Sequence, residues 1–307
     1  MKILLLGANG QLGWQLRRSL GVVGEVTALH RGSAPLCGDL ARPEELARSI
    51  EAARPDVIVN AAAYTAVDRA ETERDRAFAI NAAACSVLAQ AAQRCGAWLI
   101  HYSTDYVFDG SGEHPWREND ATGPINVYGS SKLAGERAIA EGCERHLILR
   151  TSWVFDSWGQ NFLKSILRAA ARQDSLKVVS DQWGAPTRAA LIADVTAHIL
   201  GGCSRIRSEA GSIESGMTGI YHVAAAGATT WHEYAVLAVT HARECGMALK
   251  ASPESISAIP SSEYPQAAAR PGNSRLDTSR LRATFGVNLP QWQDGVRAVV
   301  AELAAKN

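Results

Sequence analysis

The first thirteen residues constrain the chain most. Lys2 to Leu6 is a short apolar run that ends in a glycine turn, Gly7-Ala8-Asn9-Gly10-Gln11-Leu12-Gly13. Leu12, Leu16 and Leu20 then recur at helical spacing. A strand, a glycine turn and a helix in that order are the context in which a glycine motif carries meaning. Glycines let the backbone approach a pyrophosphate, and the N–H groups and positive end of the next helix stabilise its charge. The spacing is G-x-x-G-x-x-G rather than G-x-G-x-x-G. Only a few apolar residues precede the turn, so the start reads as a first strand and not as an export signal.

The alternation continues. Strands are expected at Glu25 to Leu29, Asp56 to Asn60, Trp98 to Ser103 and His146 to Thr151, with helices over 43–53 and 74–94. That order implies an α/β fold, a doubly wound parallel sheet of the Rossmann type with ligands at the carboxyl ends of its strands. The second strand ends in His30-Arg31, where it should meet the adenosine ribose. An acidic residue there would suit the free 2′-OH of NADH. Arg31 suits a 2′-phosphate, so NADPH is favoured, with NADH left open as a second donor. After the third strand, Ala61, Ala62 and Ala63, followed by Tyr64 and Thr65, put small side chains beside the cofactor's phosphates and nicotinamide ribose.

The fourth strand runs into Ser103-Thr104-Asp105, and about two dozen residues later Tyr128-Gly129-Ser130-Ser131-Lys132 opens a helix. Tyr128 and Lys132 are four apart and share a helical face. A phenol ionises near pH ~10, and a nearby ammonium lowers that value. Such a Tyr can pass a proton to a carbonyl oxygen, and the Thr104 hydroxyl can bond the same oxygen. Between these segments, Phe108 to Pro124 reads as a loop bordering the site. His101 reads as a strand residue and His114 as a solvated one.

Further on, a helix is expected over 161–172, a strand at Leu176 to Val179 and a helix over 189–200. A Gly- and Ser-rich stretch over 201–217 reads as mobile. A strand at Ile220 to Val223, helices near 231–245 and 292–305 and a strand near 255–259 follow. The fading alternation suggests two interleaved domains. Residues 1–150 with 176–205 would bind the dinucleotide; 151–175 with 206–307 would form a smaller α/β substrate domain.

Lysine plus arginine equals aspartate plus glutamate, 31 each, which argues against nucleic acid or an anionic membrane as partner. No apolar run approaches the ~18 residues of a membrane span. Cysteines at 37, 85, 95, 143, 203 and 245 are scattered without metal or redox spacing. Reduced thiols in a cytoplasmic protein are the expectation.

Thr104, Tyr128 and Lys132, with the glycine spacing, resemble the short-chain dehydrogenase/reductase superfamily, especially its extended, sugar-nucleotide branch. Further segments narrow the resemblance. They are Ser103-Thr104-Asp105-Tyr106-Val107-Phe108-Asp109-Gly110, Arg150-Thr151-Ser152-Trp153, Asp181-Gln182-x-Gly184-Ala185-Pro186-Thr187 and Arg270-Pro271-x-Asn273-Ser274-x-Leu276. Together with Tyr128-Gly129-x-x-Lys132 they resemble the dTDP-4-dehydrorhamnose reductases over nearly the whole chain.

The resemblance implies NADPH-dependent reduction of the C4 keto group of dTDP-4-dehydrorhamnose to dTDP-L-rhamnose, the last step of dTDP-rhamnose biosynthesis. It implies a cofactor site made of Gly7, Asn9, Gly10, Gln11, Leu12, Gly13, His30, Arg31, Asp39, Leu40, Ala61, Ala62, Ala63, Tyr64, Thr65, Tyr128 and Lys132. Asp39 and Leu40 would flank the adenine. Tyr128 would supply the proton, helped by Thr104, while Lys132 would hold the nicotinamide ribose and tune Tyr128. Asp105 would accept from a sugar hydroxyl, Trp153 would face the C6 methyl side, and Arg270 would pair with the diphosphate.

Some members of the family form dimers bridged by Mg²⁺, which needs oxygen ligands. The matching positions here hold Gln15, Ala190 and Gln293. No metal site is therefore expected and Mg²⁺ should not be required; a homodimer remains compatible. Rival readings share the fold. One is another nucleotide-4-keto-sugar reductase, or a sugar-nucleotide epimerase or dehydratase; the other is a non-catalytic NADP-binding subunit like the methionine adenosyltransferase regulatory subunit. A dehydratase wants an acid/base pair beside Thr104, and here Asp105 is followed by Tyr106.

Overall fold

A computed structural model describes residues 1–202 and 217–306. The strands of the first half are β1 (Lys2–Leu6), β2 (Glu25–Leu29), β3 (Val57–Asn60), β4 (Trp98–Thr104) and β5 (His146–Thr151). The helices are α1 (Gln11–Leu20), α2 (Pro43–Ala53), α3 (Val67–Ala70), α4 (Arg74–Phe78), α5 (Ala84–Cys95) and α6 (Val127–Gly142). With a late strand, Gly219–His222, the five strands form one parallel sheet in the order Gly219–His222, β5, β4, β3, β1, β2. The chain leaves β1 toward β2 and returns to β3 on β1's other side. Ligands bind at such a reversal, at the carboxyl ends of the strands.

The sheet is covered on both faces, as parallel sheets require. Alternate residues of β1 therefore enter different cores. Ile3 and Leu5 pack with Leu16 and Leu20 of α1 and Ile192 of the helix Ala189–Gly202. Leu4 and Leu6 pack with Leu46 of α2, Leu88 of α5 and Ile139 of α6. The helix expected over 74–94 is split into α4 and α5 by a π-turn, Ala79–Ala83. Its side-chain anchor is Asn81. Oδ1 accepts from the Tyr64 N–H at 2.8 Å, while Nδ2 donates to the Tyr64 carbonyl and to Ser131 Oγ, each at 3.0 Å.

A second core gathers Phe155, Leu167, Tyr234, Trp292 and Val299. Three segments lie across the expected domain division. Leu176–Val179 pairs with Ile256–Ile259 in a separate two-stranded sheet, and Leu176 and Val178 join the second core. A four-residue apolar strand reads the same in either sheet. Conversely, Gly219–His222 joins the main sheet, and the unexpected helix Ser279–Phe285 packs Leu281 into the core that holds Ile3, Leu5 and Leu16. Of the stretch 201–217, residues 203–216 lie outside the described residues.

The loop 108–124 is tied down by the segment 271–277. The Asn273 N–H donates to the Gly110 carbonyl at 2.9 Å, the Trp116 N–H to the Arg275 carbonyl at 2.8 Å, and the Asp277 N–H to the Trp116 carbonyl at 2.8 Å. Gly110 has φ +78°, and a Cβ there would lie 2.4 Å from the Pro271 Cβ. Only glycine fits that approach.

Candidate active site

The carboxyl ends of β1 to β4 open into one cavity of about 880 Å³. At one end it is lined by Gly7, Asn9, Gly10, Gln11 and Leu12, with His30, Arg31, Asp39 and Leu40. Ala61, Ala62, Ala63 and Thr65 form its wall. At the other end stand Thr104, Asp105, Tyr128, Lys132 and Trp153. The fold thus brings most of the sequence-predicted site residues together. Gly13, Tyr64 and Arg270 are not among those lining the cavity.

The glycine turn fits an anionic cofactor. Gly10 precedes α1 with no side-chain cap, and no acidic residue occupies the first turn. The first-turn N–H groups are then available to a phosphate. Gly13 acts through packing, because a Cβ there would lie 2.0 Å from the Gly7 carbonyl oxygen. It permits the close approach of helix to turn that aims those N–H groups. Tyr64 turns away, and its hydroxyl donates to Glu73 Oε2 at 3.1 Å. Its backbone is held by Asn81, so it shapes the wall without lining it.

Tyr128 and Lys132 lie one turn apart on α6. Asn126 Oδ1 caps that helix by accepting from the Gly129 N–H at 2.7 Å. A Cβ at Gly129 would lie 2.1 Å from the Tyr106 carbonyl oxygen, so glycine lets α6 press on the turn Asp105–Val107. The Tyr128 phenol is pushed above its ordinary value by burial and by Asp105, with the Thr104 hydroxyl as a partial offset. This reverses the expected lowering by Lys132. The Lys132 Nζ instead stands 2.7 Å from the Tyr102 carbonyl oxygen and 2.9 Å from His101 Nε2. Tyr128 is therefore held as a neutral phenol, the form that can donate a proton.

Asp105 is buried, and Thr104 Oγ1 donates to its Oδ1 at 3.0 Å. Burial pushes its carboxyl up to about 7, opposed by the Ser274 and Thr104 hydroxyls. Its Oδ2 makes no hydrogen bond.

Trp153 forms an apolar wall. Its backbone has φ +48°, a strained value for a tryptophan. The ring stacks on Trp231 at 3.6 Å, and a Cβ at Gly184 would lie 2.4 Å from its Cε2. Trp231 donates from Nε1 to Gln182 Oε1 at 3.2 Å and contacts Phe162 at 4.6 Å. Trp231 and Phe162 also line the cavity, and nothing in their sequence context marks them. Arg270 is engaged elsewhere. Its Nη2 donates to Asp68 Oδ2 at 2.8 Å and its Nη1 to the Ala268 carbonyl at 3.0 Å.

Gln15 donates to Asp156 Oδ1 at 3.1 Å, and the Ala190 N–H donates to Asp156 Oδ2 at 3.1 Å. Among the described residues no group of three or more His, Cys, Asp or Glu is placed to hold a metal ion.

The family model for the RmlD substrate binding domain matches residues 1–305. The dTDP-4-dehydrorhamnose reductase of Salmonella typhimurium is 49% identical over 303 residues, 99% of this chain and 98% of that protein. The chain belongs to the dTDP-4-dehydrorhamnose reductase family. The family's reductase from Burkholderia thailandensis is 48% identical over 306 residues, covering 100% of both chains. A Bacillus anthracis reductase of the family, solved in complex with NADP, superposes with a TM-score of 0.86 at 32% identity, covering 98% of this chain and 99% of that one. A dTDP-glucose 4,6-dehydratase from Streptomyces venezuelae, at 20% identity and a TM-score of 0.76 over 100% of this chain and 98% of its own, shares the fold.

Proposed function

We propose that this chain reduces the C4 keto group of dTDP-4-dehydrorhamnose to give dTDP-L-rhamnose, with NADPH as reductant. The observation that carries the reading is the placement of Tyr128, Thr104 and Lys132 in the same cavity as the uncapped N-terminus of α1. NADPH, when bound, supplies the hydride. Negative charge then grows on the C4 oxygen, and Tyr128 is placed to hand it a proton while the Thr104 hydroxyl swings its one hydrogen from Asp105 Oδ1 to the same oxygen. Asp105 accepts from a sugar hydroxyl in its ionised form. Trp153, backed by Trp231, meets the apolar C6 side of the sugar. Gly7 and the first turn of α1 hold the pyrophosphate; Arg31 takes the 2′-phosphate.

The test follows loss of reduced nicotinamide absorbance with purified protein, with and without the 4-keto sugar nucleotide. Net NADPH consumption that depends on the sugar, with dTDP-L-rhamnose as product, is the expected result. A product formed without net consumption would mark an epimerase or dehydratase. Arg31→Asp should weaken NADPH binding and shift preference toward NADH, read as the ratio of the two affinities. An unchanged ratio would mean that Arg31 does not meet the phosphate.

A further inference from the structure

Behind Lys132 lies a buried polar chain that the reaction just described does not use. Lys132 Nζ is 2.9 Å from His101 Nε2, and His101 Nδ1 is 3.0 Å from Asn60 Nδ2. Asn60 Oδ1 accepts from the Ala62 N–H at 3.1 Å. Lys132, His101 and Asn60 are each 1% exposed.

One backbone donor fixes the direction of every proton in the chain. An N–H can only donate, so the Asn60 atom facing Ala62 is the carbonyl oxygen. The atom facing His101 is then the amide nitrogen, also a donor. His101 Nδ1 must accept, and a neutral imidazole then carries its hydrogen on Nε2. That hydrogen points at Lys132. An ammonium has three donors and no acceptor, whereas a neutral amine can accept from His101 and donate to the Tyr102 carbonyl. Burial acts in the same sense, holding His101 well below its ordinary value and lowering Lys132.

We propose that His101 is a positioning residue that keeps Lys132 a neutral amine in the cofactor-free protein, so that NADPH binding draws a proton onto Lys132. The proposal rests on the reading of the cavity as an NADPH site. Once Lys132 is an ammonium, His101 must offer a lone pair at Nε2 and carry its hydrogen on Nδ1. Asn60 must then turn its oxygen to His101 and release the Ala62 N–H, which belongs to the cavity wall. The cofactor wall and Lys132 are thereby linked through Asn60 and His101.

The other groups facing Lys132 are accounted for. Glu136, on α6, accepts from Arg150 on both oxygens, at 2.9 and 2.7 Å. Cys85, on α5, is pushed up to about 11 by burial and stays a thiol. Tyr128, also on α6, stays a phenol. The 2′-phosphate of NADPH, with a second ionisation near ~6 by analogy with other phosphate monoesters, is already charged at about pH 8.

The experiment is calorimetric titration of the full chain with NADPH at about pH 8 in two buffers of different ionisation enthalpy, which counts protons taken up. Uptake approaching one proton is expected. It should persist in Asp105→Asn, which removes the neighbouring carboxyl, and fall several-fold in His101→Gln. Glutamine places an amide where Nε2 sits and can turn its oxygen to an ammonium. In the turnover profile of His101→Gln, the limb that reports Lys132 should move to higher pH. NADPH binding without proton uptake in the wild type overturns the proposal and leaves the cofactor site standing. Equal uptake in His101→Gln, or its loss in Asp105→Asn, also overturns it. Absence of NADPH binding overturns both readings.

Discussion

At Tyr128 the motif and its surroundings pull in opposite directions. Four-residue spacing to Lys132 suggests a phenol eased toward ionisation, whereas burial and Asp105 make ionisation harder. The tertiary setting wins, because the Lys132 amine is turned to His101 and Tyr102. A reductase needs the proton on the tyrosine at the start of turnover, so the setting suits the reaction. Tyr128→Phe should lower turnover by about two to four orders of magnitude, the range for losing a general acid, while NADPH still binds. Turnover near the wild-type rate in the purified variant would remove Tyr128 from that role. Asp105 makes a second prediction. Its folded value, about 7, lies above the ordinary 3.8. Between those values the folded protein holds a proton that the unfolded chain has lost, so stability falls as pH rises through that window. Asp105→Asn should melt higher than wild type at about pH 8, by on the order of 5 °C, and gain little at about pH 4. Equal gains at both pH values would show that the buried charge is not the cause.

Among the elements, the strands built on a continuous apolar stretch were the most readable. β1 and β5 end at the expected residues because Ile3 to Leu6 and Leu147 to Leu149 are unbroken, buried apolar runs; β2, the edge strand, is buried only at Leu29 and ends there as expected. The π-turn was not readable, since its cause is the long-range hold of Asn81 on Tyr64 and Ser131. Nor was the partner of Leu176–Val179, because four residues carry no record of which sheet they join. The packing of α1 on the glycine turn gives a prediction of its own. Gly13→Ala would force a Cβ to within 2.0 Å of the Gly7 carbonyl oxygen, so helix and turn must separate. NADPH affinity should drop at least tenfold, about 1.4 kcal/mol, in direct titration. Retained affinity would mean that α1 can shift without losing the phosphate site.

For the molecule as a whole, the cofactor end of the cavity was legible and the substrate end only partly so. Gly7 and Gly10 announce themselves by spacing in a strand–turn–helix context. Trp231 and Phe162 reach the cavity only because the second core carries them there. Arg270, a cation in a recognisable motif, stands outside the cavity lining and pairs with Asp68. The metal positions belong to this scale, since they concern assembly. Gln15 and the Ala190 backbone both converge on Asp156, and neither position supplies a carboxylate. Activity should therefore survive EDTA, and Mg²⁺ should not change the mass in sedimentation. An EDTA-sensitive dimer would show that other carboxylates bind the ion.

The late arrival of Gly219–His222 has a consequence for synthesis on the ribosome. A nascent chain halted before this strand exposes β5 as an open edge, with a row of unpaired backbone groups able to recruit another unfinished copy. The same chain also lacks the segment 271–277 that ties down the loop beside Thr104 and Asp105. Pairing of the β5 edge and completion of the site thus both wait for the last third of the polypeptide. Slowing translation after β5 should therefore cost soluble yield without changing the finished protein.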